Sequence, residues 1–219
     1  MGRNGNSSKY THLIWDWNGT LQNDAWLCLE VINGLLEKRH KAPLTLPSYR
    51  EIFGFPVRDY YEKAGFDFQI ESYETLAAEY IAEYDRRSSA CDLQPQAVEV
   101  LKFCVERDFS QYVLSASQQN PLDMNIAHYG LGKFFCEVVG LSDYYGQGKV
   151  ENGRALVAQL NVPADCIVLI GDTKHDYEVA QAIGIDCILF SGGHQSKERL
   201  VECGTIVVEN LNDLRSILD

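Results

Sequence analysis

Leu13-Ile14-Trp15-Asp16-Trp17-Asn18-Gly19-Thr20 is the stretch whose reading decides the fold. Three apolar residues run straight into a carboxylate, and Asn18-Gly19 then supplies the residue types of a tight reversal. A short apolar run bounded in this way suits a strand covered on both faces. Open α/β sheets bind ligands outside the carboxyl ends of their strands, so Asp16 is a candidate functional group.

Working outward, similar runs recur at Tyr112 to Leu114, Val138 to Leu141, Ile167 to Ile170, Cys187 to Phe190 and Ile206 to Val208. Between them lie helical patterns: Val98, Leu101, Cys104 and Val105 after Pro95, then Ala155, Leu156 and Leu160, then Val179, Ala180 and Ile183 before Gly184. Strand alternating with helix predicts a three-layer, Rossmann-like parallel sheet. The stretch from Asn23 to Cys91 shows no convincing strand. It carries Cys28, Val31, Ile32 and Leu35, and later Leu76, Ala77, Tyr80, Ile81 and Tyr84, at helical spacing. We read it as an inserted α-helical cap over 22–91, set into an α/β core of 9–21 and 92–219, with 1–8 a loose tail. Pro43, Pro47 and Pro56 predict a long first helix, a short irregular middle and a long last helix.

The bulk properties narrow the function. A formal charge of −12 and the lack of any dense basic run disfavour nucleic acid and anionic membrane as partners. The same charge would repel an anionic small substrate unless a metal, a lysine or backbone N–H groups supply local positive potential. Seven cysteines without a CxxC pair suit a reduced, cytoplasmic setting. No apolar stretch approaches the roughly 18 residues of a membrane span, and Met1 to Ser8 lacks the centre of a secretory signal.

Three more segments could join Asp16 in one site. Tyr112-Val113-Leu114-Ser115-Ala116-Ser117 ends a strand in small hydroxyl residues, which can donate to a phosphate oxygen or simply cap a helix. Gly146-Gln147-Gly148-Lys149 places an ammonium ahead of a helix beginning near Glu151; alone, such a lysine is more often solvated surface. Ile167-Val168-Leu169-Ile170-Gly171-Asp172-Thr173-Lys174-His175-Asp176 ends a buried strand in two carboxylates four residues apart. Oxygen ligands there suit a hard cation such as magnesium. His12, His40, His128, His175 and His194 show no metal-ligand spacing, which argues against zinc.

In these four segments, taken in order, the chain resembles the haloacid dehalogenase superfamily, and in its insert the phosphoglycolate-phosphatase-like members with a C1-type helical cap. The resemblance runs from Tyr10 to Asp219. It implies a Mg2+-dependent phosphatase of small phosphorylated metabolites, monomeric or weakly dimeric, working through an aspartyl-phosphate. It makes Asp16 the nucleophile, Ser115 a phosphate donor with Ala116 and Gly19 beside it, and Lys149 the charge clamp. Asp172 becomes a metal ligand with Asp16 and the backbone carbonyl of Asn18, and Asp176 a support to the lysine or the metal. Glu51-Ile52-Phe53-Gly54-Phe55-Pro56-Val57-Arg58 looks like the cap substrate loop, in which Arg58 either grips a substrate carboxylate or pairs on the solvent side with Asp59 or Glu62. Leu21 to Asp24 and Cys91 to Gln94 are the expected hinges.

One position departs from the family pattern. Family phosphatases carry an aspartate two residues after the nucleophile, to protonate the leaving oxygen and then activate water; this chain has Asn18. An amide cannot shuttle that proton, and the loss is worth roughly 10²–10⁴-fold. The readings left open are a phosphatase for good leaving groups, one helped by a substitute acid such as Asp24, or a catalytically impaired protein that binds a phosphorylated ligand or partner. Dehalogenase relatives do not need the metal loop present here. A phosphonoacetaldehyde-hydrolase-like chemistry would call for a cap lysine, and Glu51 to Tyr60 has none.

Overall fold

A computed structural model describes residues 8–142 and 148–219. The expected tail, apart from Ser8, and Gly146 and Gln147 lie outside the described residues.

Each of the six apolar runs lies in a strand of one parallel sheet. In chain order the first half comprises β1 (His12–Trp15), β2 (Gln22–Asn23), α1 (Ala25–Lys38), α2 (Leu46–Ile52), α3 (Val57–Ala64), α4 (Tyr73–Arg87) and β3 (Asp92–Leu93). The second half comprises α5 (Ala97–Glu106), β4 (Ser110–Gln118), α6 (Gln119–His128), β5 (Glu137–Leu141), α7 (Lys149–Leu160), β6 (Ile167–Gly171), α8 (Lys174–Ile183), β7 (Asp186–Phe190), α9 (Lys197–Val201), β8 (Ile206–Val208) and α10 (Leu214–Leu218).

The strand order is β5-β4-β1-β6-β7-β8. The chain builds β4 and β5 on one side of β1, then returns to lay β6, β7 and β8 on the other. This reversal puts a crevice at the carboxyl end of β1. Strand alternation gives the sheet two cores. Leu13, Trp15, Val113, Val168 and Ile170 pack with α5 through Val100, Leu101 and Cys104. Ile14, Leu114, Leu169 and Leu189 pack with Leu156 of α7 and Val179 and Ala180 of α8. Burying each such side chain is worth about 1.5–3 kcal/mol, which explains why β-branched and leucine runs, rather than alternating ones, define these strands.

Helices α1 to α4 form a third apolar cluster of their own, including Ile32, Leu35, Leu36, Tyr49, Tyr60, Tyr61 and Leu76. Here the structure differs from the sequence reading twice. The middle of the insert is not irregular: Thr45 and Ser48 form a reciprocal capping box with Pro47 in the first turn, which starts α2, and α3 follows after Pro56. The insert is also clasped at its base by a ribbon in which Gln22 pairs with Leu93 and Asn23 with Asp92. Two-residue strands carry no periodicity, so this clasp has no sequence signal.

Candidate active site

Asp16 follows directly on β1, and its N–H donates to the carbonyl of Ile170 on β6 at 2.8 Å. The three strands flanking the crevice contribute Asp16, Ser115 on β4, and Asp172 just past β6. Lys149 is the first residue of α7, two positions earlier than the sequence suggested, and is 2% exposed. Its Nζ donates at 2.6 Å to Oδ1 of Asp16 and at 2.6 Å to Oδ1 of Asp176. The ammonium is therefore a buried bridge between two motifs and not a surface group.

The acidic loop is held with equal care. Asp176 sits at the third position of α8, where its Oδ2 accepts from the N–H and hydroxyl of Thr173 at 3.0 and 2.6 Å. With Lys149 on Oδ1, both of its oxygens are engaged. Gly171 admits this arrangement: a Cβ there would lie 2.3 Å from the Asp176 carboxyl carbon. Asp172 is fully buried; its Oδ1 accepts from the Thr20 hydroxyl at 3.0 Å and its Oδ2 from the His194 N–H at 2.6 Å.

Asp16, Asp172 and Asp176 each bring a carboxylate oxygen within 4.8 Å of the others. The Lys149 ammonium contacts two of these three buried carboxylates, Asp16 and Asp176. Burial raises the Asp16 carboxyl against the pull of Lys149, and the charges of Asp176 and Asp172 raise it further. Burial likewise raises Asp172, offset in part by His194. Burial also opposes ionisation of Asp176, but Lys149 and the Thr173 hydrogen bonds hold it below the usual range. An all-oxygen, electron-rich cluster short of positive charge fits a hard divalent cation, with Asp16, Asp172 and the Asn18 carbonyl as the groups to hold it.

Asn18 is wholly engaged. Its Nδ2 donates to Oδ2 of Asp24 at 2.8 Å and to the Tyr84 hydroxyl at 2.7 Å, and its Oδ1 accepts from the Ser117 hydroxyl at 2.6 Å. The amide ties the loop after β1 to α4 of the insert. Asp24 is fully buried and explains the amide: an aspartate at 18 would set two carboxylates against each other there. Asp24 also pairs with Nε2 of His194 at 3.2 Å, while Nδ1 of that ring meets the Tyr49 hydroxyl at 2.8 Å. Burial works to lower the His194 pKa, yet Asp24, with smaller help from Asp172 and Asp16, raises it to about 9, so the ring is a buried imidazolium at neutral pH. The Cys28 thiol also lies within 4.8 Å of Asp24 and the His194 ring, but a protonated imidazole offers no lone pair to a metal.

A cavity of about 230 Å³ opens over Asp16, Asn18, Ser115, Ala116, Lys149 and Asp172, and the insert roofs it. Ser115 is 1% exposed and its Oγ accepts from the N–H of Ser117 at 3.0 Å. Two of the expected substrate-side residues, Gly19 and Arg58, are not among the described residues that line the cavity. The Gly19 N–H does not face the cavity but donates to Oδ1 of Asp24 at 2.8 Å. Its φ of +74° and the Asp172 carboxylate, 2.3 Å from where a Cβ would stand, explain the glycine instead. Arg58 is not a cavity residue: it pairs with Glu62 at 3.5 Å, half exposed, and lies over the ring of Phe68 at 5.0 Å. Of its two sequence readings, the pairing with Glu62 matches the geometry.

His194, Thr20 and Thr173 were given no place in the site by the sequence reading, and Tyr84 was read only as part of a helical stripe. The one available signal for His194 was Gly192-Gly193 after the β7 run, another strand end at the same edge of the sheet.

The arrangement defines a class. The family model for haloacid dehalogenase-like hydrolases matches residues 13–190, and the chain belongs to that family. Among its relatives is a phosphoglycolate phosphatase of Rhodobacter capsulatus, 26% identical over 187 residues, or 84% of this chain and 85% of the relative. The tyrosine-protein kinase PtkA of Mycobacterium tuberculosis is 26% identical over 153 residues, 68% of this chain and 53% of that protein. In fold, a haloacid dehalogenase-like hydrolase of Streptococcus pneumoniae superposes with a TM-score of 0.81 at 16% identity, over 96% of this chain and 99% of that one.

Proposed function

We propose that the protein is a Mg2+-dependent phosphatase of small phosphorylated metabolites that works through an aspartyl-phosphate on Asp16. The observation that carries this reading is the Lys149 bridge to Asp16 and Asp176, buried at the sheet's crevice beside Asp172 and opening into a roofed cavity. The relatives named phosphoglycolate phosphatase support the reaction class.

Oδ2 of Asp16 is the oxygen not taken by Lys149; it accepts a long hydrogen bond from the Thr20 hydroxyl at 3.4 Å, and it is the oxygen we assign to attack on phosphorus. Ser115 and the Lys149 ammonium hold the phosphoryl oxygens and offset their charge, the main demand of phosphoryl transfer. A bound magnesium ion would supply further charge neutralisation at the phosphoryl group. Asp176 and Thr173 keep the lysine aimed, and Thr20 orients Asp172.

In this reading 22–91 acts as the cap, with the ribbon of Gln22–Asn23 and Asp92–Leu93 as its hinge, and closure over the crevice excludes water. Contacts that favour the closed state include Arg50 donating to the carbonyls of Gly193 and Gly192, and Arg199 donating to those of Arg50 and Phe53. Because the Asn18 side chain is engaged on both sides and has no acidic proton, departure of the leaving group goes unassisted there. Turnover is accordingly slow on alkyl esters.

The test is phosphate release by purified protein with magnesium across a panel of phosphate esters and acyl phosphates, with Asp16→Asn as the blank. Turnover lost in the blank supports the phosphatase. Binding of phosphorylated ligands without turnover would favour the impaired, ligand-binding alternative, which the engagement of Asn18 by Asp24 and Tyr84 makes worth separating.

A further inference from the structure

The roof of the cavity is unlike its floor. On α4, Leu76 is fully buried in the insert's own core, but Ala77, Tyr80, Ile81 and Tyr84 are only half buried and line the cavity. Read from sequence, this is one helical stripe meant for a core; in the fold Ala77, Tyr80 and Tyr84 do pack on that core, and with Ile81 they also line the space above Asp16. Phe55 from the loop before α3 and Pro121 from α6 complete the apolar wall. The rings are held in place: Phe55 stacks on His175 with centroids 4.4 Å apart, and Tyr80 and Tyr84 lie parallel at 6.3 Å.

Fixed cations are correspondingly scarce. Among the described lining residues Lys149 is the one lysine or arginine, and Asp16 and Asp176 take it up. His194 is committed to Asp24, and His175 lies flat on Phe55. Asp85, next along α4, adds a carboxylate to the lining. A leaving group bearing its own carboxylate would meet carbon and negative charge here, with no arginine to receive it.

Together with Asn18, these features select a substrate. We propose that the site takes small aryl phosphates: the phosphoryl group sits at Asp16 and an uncharged aromatic leaving group lies against the apolar wall of α4 and Phe55. This deepens the phosphatase reading above and rests on it. A phenol has a pKa of about 10, against about 15.7 for water, so a phenolate leaves far more readily than an alkoxide where nothing donates a proton. In the first step Oδ2 of Asp16 attacks phosphorus, the P–O(aryl) bond breaks, and its electron pair leaves on the phenolate, which takes a proton from water. In the second, water attacks phosphorus, the P–O(Asp16) bond breaks, and inorganic phosphate and the Asp16 carboxylate are released while the water's proton passes to solvent. An aromatic wall, which elsewhere in a cap would merely be core, here does the recognition.

The experiment compares kcat/KM for phenyl phosphate, 2-phosphoglycolate and acetyl phosphate in the full chain with magnesium, with Asp16→Asn as blank. Phenyl phosphate is expected to exceed phosphoglycolate by at least about 100-fold, the lower end of what a missing general acid costs the alkyl ester. Its KM is expected to lie roughly 10-fold or more below that of acetyl phosphate, which has a good leaving group but little apolar surface. Ile81→Glu, checked for folding by thermal denaturation, is expected to lower the phenyl-to-acetyl ratio of kcat/KM by about 10-fold or more, and Ile81→Leu to restore it. Phosphoglycolate matching phenyl phosphate, or a ratio unmoved in a folded Ile81→Glu, would overturn the proposal. Asp16-dependent turnover of acetyl phosphate without preference for phenyl phosphate sinks the aryl proposal alone. Absence of Asp16-dependent turnover on all three sinks the phosphatase reading with it.

Discussion

The floor and the roof of the cavity are built by opposite rules. On the floor, Asp16, Lys149 and the pair Asp172 and Asp176 come from three separate places in the chain, yet the ammonium and each carboxylate have partners of stated geometry. On the roof, Tyr80, Ile81, Phe55 and their neighbours offer surface without direction. Shifting any member of the floor leaves a buried charge uncompensated. The roof only selects what may sit above it. In the phosphatase reading reaction and specificity are thus separable, and each can be attacked alone.

The largest effect belongs to the floor. Asp16→Asn should lower phosphate release by roughly 10⁴-fold or more, the scale seen when a covalent nucleophile is removed, without weakening ligand binding to the roof. A residual rate within tenfold of wild type would mean that the floor is not the chemical site. Magnesium titration sharpens the same point: at about 100 times its Kd it should stabilise the folded protein by about 2.7 kcal/mol in thermal melts, and the gain should vanish in Asp172→Asn.

The junction of the two regions comes next. Asn18→Asp supplies the missing proton donor and sets it against Asp24, which raises the pKa of one of the pair. Turnover of alkyl phosphates should rise roughly 10-fold or more by stopped-time phosphate assay, while the melting temperature falls. Unchanged alkyl turnover would show that this position does not reach the leaving oxygen.

The Asp24–His194 pair underlies both walls, and its loss should show in stability. His194→Gln should cost about 3–5 kcal/mol at pH 7 by denaturant unfolding, since it strands a buried carboxylate. The His194 pKa is raised on folding from 6.5 to about 9, so the wild-type advantage should be fully present below pH 6.5 and decline as pH rises through about 9. Asp24 is held below its ordinary value, burial notwithstanding, chiefly by His194, so the advantage should also decline in acid, below pH 3.8. A difference independent of pH across 6 to 10 would show that the ring is not charged. The smallest effect should come from Arg58→Ala: within about 0.5 kcal/mol in stability, as for an exposed i,i+4 pair, and without change in substrate preference.

Much of the floor was legible along the chain, since each of its groups lies at a strand end or helix start that hydrophobic pattern marks. Asp16 after Leu13-Ile14-Trp15, Ser115 after Val113-Leu114 and Asp172 after Ile167 to Gly171 were found this way. Lys149 was found only through the resemblance to a known family, since nothing local separates it from a surface lysine. The aromatic stripe of α4 was legible as a stripe but not as a wall, because periodicity reports that a face is covered and not what covers it.

By itself, then, the sequence determined the parallel sheet, its six strands, the helical insert and the order of the acidic and basic groups, because runs of apolar residues and the turns that end them act over a few neighbours. Only the tertiary structure decided that Asp24 and His194 form a buried ion pair, that Asn18 is locked by Tyr84 and Ser117, that Arg58 pairs with Glu62, and that Tyr80 and Ile81 look onto Asp16. Those outcomes depend on where residues up to 170 positions apart (Asp24 and His194) come to rest, and burial gives such meetings their energy only once the chain has closed around them.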